Sequence, residues 1–308
     1  MVFSVIIPTY NRVEALARTL RSLGSQRFDA SLYEVIVVDD GSTDLTAATV
    51  RGFQESFPAK LHYHYQPNQK QGAARNLGVQ SAEGDFLIFL GDDITPAAGF
   101  LENHNRARQR HRLPTDVILG YTTWPDEYEV TRFLDYIGEQ GWQFGFSLIE
   151  DPENVPFNFF YTSNVSISRR FFLDSGGFDE DFQDYGWEDI ELSLRLNSQG
   201  MRLRFWPGAR AFHHHPMGIA TFIRRQHQVG ASAWKFHLKH RELAAFLGTN
   251  RIPAYRTIDH LKMTLLSTLC RLTERRQWPD LSRFYPDLMS YYYNRGLIAG
   301  RDRERLSK

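Results

Sequence analysis

The chain has 308 residues, 42% of them hydrophobic and 14% aromatic, which suffices for one large or two ordinary packed domains. The single cysteine, Cys270, excludes an intramolecular disulfide, and no apolar run reaches the roughly 18 to 20 residues that span a bilayer. The first residues lack a charged leader and a cleavage site, so we expect a reducing, cytoplasmic location, with or without peripheral contact at the inner face of the membrane. A formal net charge of zero gives no reason to expect a nucleic acid partner.

This neutral total hides an asymmetry of charge along the chain. Residues 216–308 carry 17 Lys and Arg against 7 Asp and Glu, a net of +10, whereas residues 1–215 carry 19 against 29, a net of −10. Anionic lipid head groups, a phosphorylated acceptor or the acidic remainder of the chain would all complement this basic region, and solvated helix faces would explain it equally well. The arginines concerned are Arg224, Arg225, Arg271, Arg275, Arg276, Arg301, Arg303 and Arg305.

The first third of the chain alternates between strand and helix patterns. Val2–Ile7 is a short apolar run, and the leucines that follow from Leu16 recur at helical spacing. The same cycle returns with the predicted strands Val35–Val38, Leu61–Tyr65 and Phe86–Leu90. This alternation predicts an α/β fold with a doubly wound, mainly parallel sheet, in which ligands bind beyond the carboxyl ends of the strands.

The remainder of the chain is less regular. After a strand at Val117–Tyr121, an aromatic stretch over residues 124–161 predicts loops and short helices that build an acceptor wall. The patterns then predict further strands at Phe159–Ile167, Met201–Trp206 and Ala209–His215, and a helix that begins near Trp187. From residue 216 onward they predict a helical region, broken at Pro253, Pro279 and Pro286.

Two acidic pairs follow two of the predicted strands directly. Asp39-Asp40 comes after Glu34–Val38, and Asp92-Asp93 comes after Phe86–Gly91. Carboxylates crowded at strand ends repel one another unless a divalent cation or a ligand neutralises them. This placement indicates metal and nucleotide chemistry, and hence an enzyme.

Several motifs resemble those of the inverting, nucleotide-sugar-dependent glycosyltransferases of family 2, which have the GT-A fold. They occur in the family's order over about residues 1–215: Val5–Asn11, Val37–Asp44, Gly72–Gly78, Phe89–Asp93, Gly176–Asp179 and Gly186–Leu192. The resemblance implies a GT-A type sheet with an additional C-terminal helical region. It further implies a nucleotide-sugar-binding half at 1–115, an acceptor-binding and catalytic half at 116–215, and a basic helical region at 216–308.

The resemblance also implies a nucleotide site. Pro8, Thr9 and Tyr10 would line it, and Asp40 would accept a hydrogen bond from the base, which suits the imide N–H of uracil and favours a UDP-sugar donor. Asp39 is expected to support the turn. Arg75 would contact the phosphate or base, or else form a salt bridge to one of the acidic pairs.

Asp92-Asp93 corresponds to the family's metal motif, although the usual first aspartate is replaced by Gly91. Asp93 would be the main ligand of Mg²⁺ or Mn²⁺, and Asp92 would touch ribose or lend charge. A metal-binding histidine is implied near the end of the domain. Strand alternation puts His213 and His215 on one face, with His213 favoured and packed histidines as the alternative.

An inverting transfer needs one base for the acceptor hydroxyl. By resemblance Asp189 is that base, Glu188 bonds the acceptor, and Trp187 stacks on a sugar face. Exchanged roles for Glu188 and Asp189 are a further possibility, and acidic residues in a helix's first turn also have a purely structural explanation.

The expected function is therefore a metal-dependent inverting transferase, most simply with a UDP-sugar donor and a hydroxyl acceptor on a glycan or lipid-linked carrier. Cell-envelope or extracellular polysaccharide synthesis is the expected setting. The alternatives are a nucleotidyltransferase that makes nucleotide sugars and a non-catalytic nucleotide-sugar-binding protein.

Overall fold

The computed structural model describes residues 1–183, 185–215, 217–274 and 279–306. The chain separates into two compact units. The first comprises residues 1–128, 144–183 and 188–215, and the second comprises residues 129–143, 184–187 and 216–308. Arg275 and Arg276 of the basic region lie outside the described residues.

The first unit contains all the described strands and the helices between them. Its strands are β1 (Phe3–Thr9), β2 (Tyr33–Asp39), β3 (Lys60–Tyr65), β4 (Phe86–Leu90), β5 (Ile94–Pro96), β6 (Asp116–Thr123), β7 (Asn164–Ser168) and β8 (Arg202–His213). Its helices are α1 (Val13–Gly24), α2 (Thr46–Gln54), α3 (Lys70–Gln80), α4 (Phe100–Arg110), α6 (Arg169–Asp174) and α7 (Glu188–Ser198).

The strands of the described residues form one mixed sheet in the order β3-β2-β1-β4-β7-β6-β8-β5. The pairs among β3, β2, β1 and β4 are all parallel, as the alternating sequence pattern predicts. The other half departs from that pattern. β7 runs antiparallel to both β4 and β6, and β5 runs antiparallel to β8, while β6 and β8 are parallel.

Some strand boundaries differ from those predicted. β8 is one strand, because Pro207 and Gly208 fall in a register shift where the partners of β6 jump from Trp206 to Arg210. Proline has no N–H to donate, so the chain bulges there without leaving the sheet. Of the strand predicted at Phe159–Ile167, only the part from Asn164 onward is in a strand, which is β7. Phe157–Phe159 forms a short 3₁₀ turn.

Both faces of β1 and β2, in the parallel half of the sheet, are buried. Ile6, Ile36 and Val38 point into one apolar cluster, whereas Val5 and Ile7 point into the other. Burial on both faces explains why β1 and β2 read as continuous apolar runs and not as an alternating pattern. The side chains that remain free for chemistry are those just beyond the strand ends.

The second unit is helical. It contains α5 (Arg132–Glu139), α8 (Ile219–Lys239), α9 (Thr257–Thr273) and α10 (Tyr285–Leu306). Pro286 does not break a helix but lies in the first turn of α10, where a missing N–H costs no hydrogen bond. Among the helices that the structure describes, none combines the length and apolar character needed to traverse a bilayer.

Helices α8 and α10 approach closely at two glycines. A Cβ atom placed on Gly230 would lie 2.0 Å from the carbonyl oxygen of Tyr293, and one on Gly296 would lie 2.0 Å from that of His227. Gly230→Ala is therefore expected to lower the free energy of unfolding of this unit by about 1 to 3 kcal/mol or more, because backbone cannot move aside as a side chain can.

Urea denaturation followed by circular dichroism measures this effect. The matched control is Gly138→Ala in α5 of the same unit, where an added Cβ meets no atom within 4 Å. Alanine is the better helix former, so the control should be neutral or slightly stabilising. Equal stability of Gly230→Ala and the parent protein would contradict the close approach of α8 and α10.

Candidate active site

Strands β2, β1 and β4 are adjacent and parallel, so their carboxyl ends meet at one edge of the sheet. Thr9 at the end of β1 connects the two acidic pairs that follow the neighbouring strands. Its carbonyl oxygen accepts from the backbone N–H of Asp40 at 2.9 Å, and its hydroxyl donates to the carboxylate of Asp92 at 2.8 Å. The prediction that both acidic pairs reach one place is confirmed.

Asp39 and Asp40 shape the loops at this edge. Asp39 accepts hydrogen bonds from the backbone N–H of Ser42 and the hydroxyl of Tyr63, both at 2.7 Å, which confirms its role in the turn. Asp40 is buried and accepts from the side chain of Gln66 at 2.7 Å and from the backbone N–H groups of Gln69 and Lys70 at 2.8 Å. Asp40 thus fixes the loop that leads into α3.

Arg12, a residue that the sequence analysis did not select, lies between the second pair of carboxylates. Its guanidinium is 3.1 Å from Asp92 and 2.7 Å from Asp93. The basic residue directly after the Val5–Asn11 motif was the available signal, but the acidic pair it meets is 80 residues away in the chain. Charge neutralisation at this strand end therefore comes first from the protein itself.

The two carboxylates of this pair differ in their electrostatics. Burial, and then the charge of Asp93, raises the pKa of Asp92 to about 6. Burial also opposes ionisation of Asp93, but the interactions with His213, with the charge of Arg12 and with His215 outweigh it, so the pKa of Asp93 lies below its usual range. Asp93 is thus the member of the pair that loses its proton first as the pH rises.

The short strand β5, which the sequence analysis did not predict, explains why Asp93 meets a histidine. Ile94 of β5 is the register partner of His213 at the end of β8. This pairing leaves the His213 Nε2 atom 3.4 Å from the Asp93 carboxylate. The rings of His213 and His215 are 5.9 Å apart, whereas His214 turns away to the Thr95 hydroxyl at 2.6 Å, so the predicted alternation is confirmed.

These residues suit a divalent cation chemically. Carboxylate oxygen and imidazole nitrogen are ligands that Mn²⁺ accepts, and the buried His213 Nδ1 has no hydrogen-bond partner among the described residues. The ring of His213 is held against Trp124 at a centroid distance of 5.3 Å. Within the described residues, however, no three His, Cys, Asp or Glu side chains are already arranged as a metal site. A cation would have to share Asp93 with Arg12 or displace it.

A second constellation lies where α3 meets the start of α7. Arg75 and Glu188 are both buried and form an ion pair of 3.2 Å, and the Arg75 guanidinium lies 5.3 Å from the ring centre of Phe178. This ion pair is not the expected salt bridge, because its partner belongs to neither Asp39-Asp40 nor Asp92-Asp93. The expected contact of Arg75 with a phosphate or base stays a prediction. The Glu188 Oε2 and Arg75 Nε atoms are buried and have no hydrogen-bond partner among the described residues.

Asp189, next to this ion pair, is a partly buried carboxyl group in the first turn of α7. Burial, and then the charge of Glu188, raises its pKa to about 7. A carboxyl with a pKa near neutrality is matched to proton transfer. Because Arg75 belongs to the helix whose first residue is anchored by Asp40, the two constellations share α3 as a common support.

Trp187 belongs to the helical unit. Its indole N–H donates to the carbonyl of Val229 at 2.8 Å, and its ring lies 5.6 Å from Phe236 and 6.0 Å from Phe246. Its φ of +75° is a conformation that few residues other than glycine adopt. Tyr10 is about half exposed, and Pro8 is the last residue but one of β1. The ligand contacts of these three residues stay predictions.

Comparison with known proteins relates this geometry to a family. The profile of "Glycosyl transferase family 2" matches residues 4–172, which is more than half of the chain, and "Glycosyl transferase family group 2" matches residues 117–272. The chain belongs to glycosyl transferase family 2.

Curated relatives of this family 2 protein include validoxylamine A glucosyltransferase of Streptomyces hygroscopicus subsp. jinggangensis. It is 32% identical over 222 residues, which cover 64% of this chain and 52% of the relative. Chondroitin synthase of Escherichia coli is 29% identical over 254 residues, covering 70% and 35%. The chain thus spans about half the length of the first relative and a third of the second.

Solved structures confirm the GT-A fold of the family 2 protein. Staphylococcus aureus TarS 1-349 in complex with UDP-GlcNAc superposes with a TM-score of 0.60 at 18% identity, covering 100% of this chain and 93% of that one. Mannosyltransferase PcManGT from Pyrobaculum calidifontis, in complex with GDP-Man and Mn²⁺, gives a TM-score of 0.63 at 17% identity, covering 97% and 86%. At this identity the likeness establishes the fold.

Proposed function

We infer that the protein is a metal-dependent inverting glycosyltransferase that moves a sugar from a nucleotide-diphosphate donor, most simply a UDP-sugar, to a hydroxyl of a glycan or lipid-linked acceptor. The observation that carries this proposal is the presence of two separate carboxylate constellations on one GT-A scaffold. Asp92-Asp93 provides negative charge at the sheet edge, and Glu188-Asp189 provides a proton acceptor at the start of α7. Metal-assisted transfer with a single base requires both functions.

For the donor, the proposal assigns the nucleoside to Pro8, Thr9, Tyr10 and Asp40. A carboxylate has about four acceptor positions, and the protein fills three at Asp40, so capacity remains for the imide N–H of uracil. The complex of TarS with UDP-GlcNAc supports this donor class, while that of PcManGT with GDP-Man names another base. Arg75 and Asp92 complete the donor side.

For the cation, the proposal assigns Mg²⁺ or Mn²⁺ to Asp93 and His213, with His215 as the second histidine. The lowered pKa of Asp93 and the His213 Nε2 atom 3.4 Å from its carboxylate support this assignment. When bound, the cation supplies positive charge that stabilises the departing diphosphate.

For the transfer itself, Asp189 is proposed as the base. Its carboxylate takes the proton of the acceptor hydroxyl while that oxygen bonds to the anomeric carbon. The bond from that carbon to the diphosphate breaks on the opposite side, and the nucleoside diphosphate leaves with the electron pair. The free Glu188 Oε2 is suited to accept a hydrogen bond from the acceptor, and the ion pair with Arg75 keeps Glu188 oriented.

The setting of the reaction is proposed from the relatives. Chondroitin synthase and the poly(ribitol-phosphate) transferase TarS are named for polymers, which supports a glycan acceptor in cell-envelope or extracellular polysaccharide synthesis. A nucleotidyltransferase would need a glycine-rich loop after β1. The segment Pro8–Arg12 has no glycine, and Arg12 is engaged with the acidic pair.

The decisive test is turnover. Purified protein incubated with Mn²⁺ and separate nucleotide sugars, with and without glycan acceptors, should release free nucleoside diphosphate and form a β- or α-linked product of inverted configuration. Binding of a nucleotide sugar without release of nucleotide would instead support the non-catalytic alternative. Formation of pyrophosphate from a sugar phosphate and a nucleoside triphosphate would support the nucleotidyltransferase.

The pH dependence of transfer provides a second test. Because the base must be ionised and its pKa is raised to about 7, kcat/KM should fall about tenfold per pH unit below that value and level off above it. Glu188→Gln removes the negative neighbour that raises this pKa, so its acid limb should move to lower pH even if the maximal rate drops. If the acid limb of the pH profile of Glu188→Gln coincides with that of the parent protein, the assignment of Asp189 as the base is contradicted.

A further inference from the structure

Helix α9 of the second unit exposes an unusual row of apolar side chains. Ile258, Leu261, Leu265, Leu269 and Leu272 follow one another at intervals of three or four residues and are between 44% and 65% exposed. At 3.6 residues per turn they form one continuous line along the helix, here called the α9 stripe. Single exposed leucines are common, but a contiguous apolar surface of this kind marks a binding face.

The α9 stripe is not the face by which the helix packs. Ser267 and Cys270 are the buried residues of α9, and they lie on the opposite side of the helix from Leu265 and Leu269. The fold is therefore already stabilised by the other face. The α9 stripe remains exposed within the part of the chain that the structure describes.

The charged residues near the α9 stripe indicate what kind of partner it binds. Lys262 is exposed directly beside the stripe, and Arg271 is exposed on the other side of it, beyond Thr264 and Thr268. Asp259 is the acidic residue of α9, and it is used at the N-terminus of the helix, where it accepts from the backbone N–H of Arg256 at 2.8 Å. Glu274 at the other end accepts from the backbone N–H of Ile219 at 3.2 Å. The exposed face thus combines apolar side chains with positive charge.

The threonine hydroxyl groups beside the stripe already have hydrogen-bond partners within α9. The hydroxyl groups of Thr264, Thr268 and Thr273 each donate to the carbonyl oxygen four residues earlier, at 2.8 to 3.0 Å. A hydroxyl satisfied within its own helix can enter a poorly hydrated environment at little cost. This side of α9 can be dehydrated along its length.

We propose that the α9 stripe docks the protein on an anionic lipid surface. The apolar side chains enter the boundary between head groups and acyl chains, and Lys262 and Arg271 meet lipid phosphates. A second copy of the chain fits less well, because two stripes facing each other would bring like charges together and offer no acidic partner. The proposal depends on residues outside the candidate active site and holds whether or not the protein is a transferase.

Vesicle sedimentation of the full-length protein tests this surface. Phosphatidylcholine vesicles with and without phosphatidylglycerol are compared at low and high salt. The parent protein should bind the anionic vesicles and lose most binding in phosphatidylcholine alone. Leu261→Gln/Leu265→Gln should weaken the partition coefficient about tenfold or more. Each of Lys262→Gln and Arg271→Gln should weaken it about fivefold and flatten the salt dependence.

The matched control is Leu113→Gln/Leu173→Gln, which alters two leucines of the first unit that are 47% and 50% exposed. It should bind like the parent. The lipid-docking proposal is refuted if the parent protein does not bind anionic vesicles, or if the α9 variant binds them as well as the control variant does. If the parent protein binds no lipid, and light scattering shows that it is a dimer while the α9 variant is a monomer, the partner of the stripe is a second copy of the chain. Release of nucleotide by each variant is measured in parallel, so that failure of the lipid proposal is distinguished from failure of the transferase proposal.

Discussion

Asp93→Ala should lose metal-dependent sugar transfer by a hundredfold or more, the effect of removing several kcal/mol of charge stabilisation. The pKa of Asp93 lies below its usual range, and its carboxylate lies 3.4 Å from the His213 imidazole. The variant therefore removes the proposed oxygen ligand and leaves the imidazole. Steady-state release of nucleotide at increasing Mn²⁺ measures the loss, and Mn²⁺ binding followed by electron paramagnetic resonance gives a readout independent of turnover.

The control for this variant is Asp174→Ala, which removes a carboxylate of the same type from the exposed surface of α6. It should leave Mn²⁺ binding and transfer unchanged. Circular dichroism checks that Asp93→Ala remains folded after Arg12 loses one of its two partners. Normal transfer by folded Asp93→Ala would remove the metal assignment.

Asp189→Asn should reduce kcat by about a hundredfold or more while leaving the affinity for UDP nearly intact, because loss of a general base affects the transition state and not donor binding. The asparagine keeps the size of the side chain but cannot take a proton. Calorimetric titration with UDP and single-turnover transfer separate the two effects.

Glu188→Gln is the comparison for this variant. In our assignment it weakens acceptor binding and raises KM, since Glu188 is paired with Arg75 through one oxygen and its other oxygen has no hydrogen-bond partner among the described residues. If Glu188→Gln instead shows the pattern expected of Asp189→Asn, and Asp189→Asn retains its rate, the roles of the two carboxylates are exchanged.

The sequence predicted the parallel half of the sheet well, because continuous apolar runs such as Val35–Val38 have no other stable place than between two layers of helices. It also predicted that the two acidic pairs meet, since parallel strands end at the same edge. Both features follow from the local pattern of apolar residues and from the rule that neighbouring parallel strands end at the same edge of the sheet.

The features that the sequence did not predict depend on contacts between residues far apart in the chain. β5 has three residues, too few for any periodicity, yet its pairing with β8 brings Asp93 to His213. The direction of β7 and the continuity of β8 across Pro207 depend on neighbours far away in the chain. The same is true of Arg12 and of the ion pair between Arg75 and Glu188, where the partners are 80 and 113 residues apart.

The position of Arg12 has a consequence for how the protein is assembled. Its guanidinium offsets the mutual repulsion of Asp92 and Asp93 within the polypeptide itself. Many small metalloproteins unfold when a chelator strips their ion, because the ion holds their ligands together. Here the sheet edge has its own counter-charge, so we expect the chain to fold without the proposed cation and to bind it, if at all, only after folding.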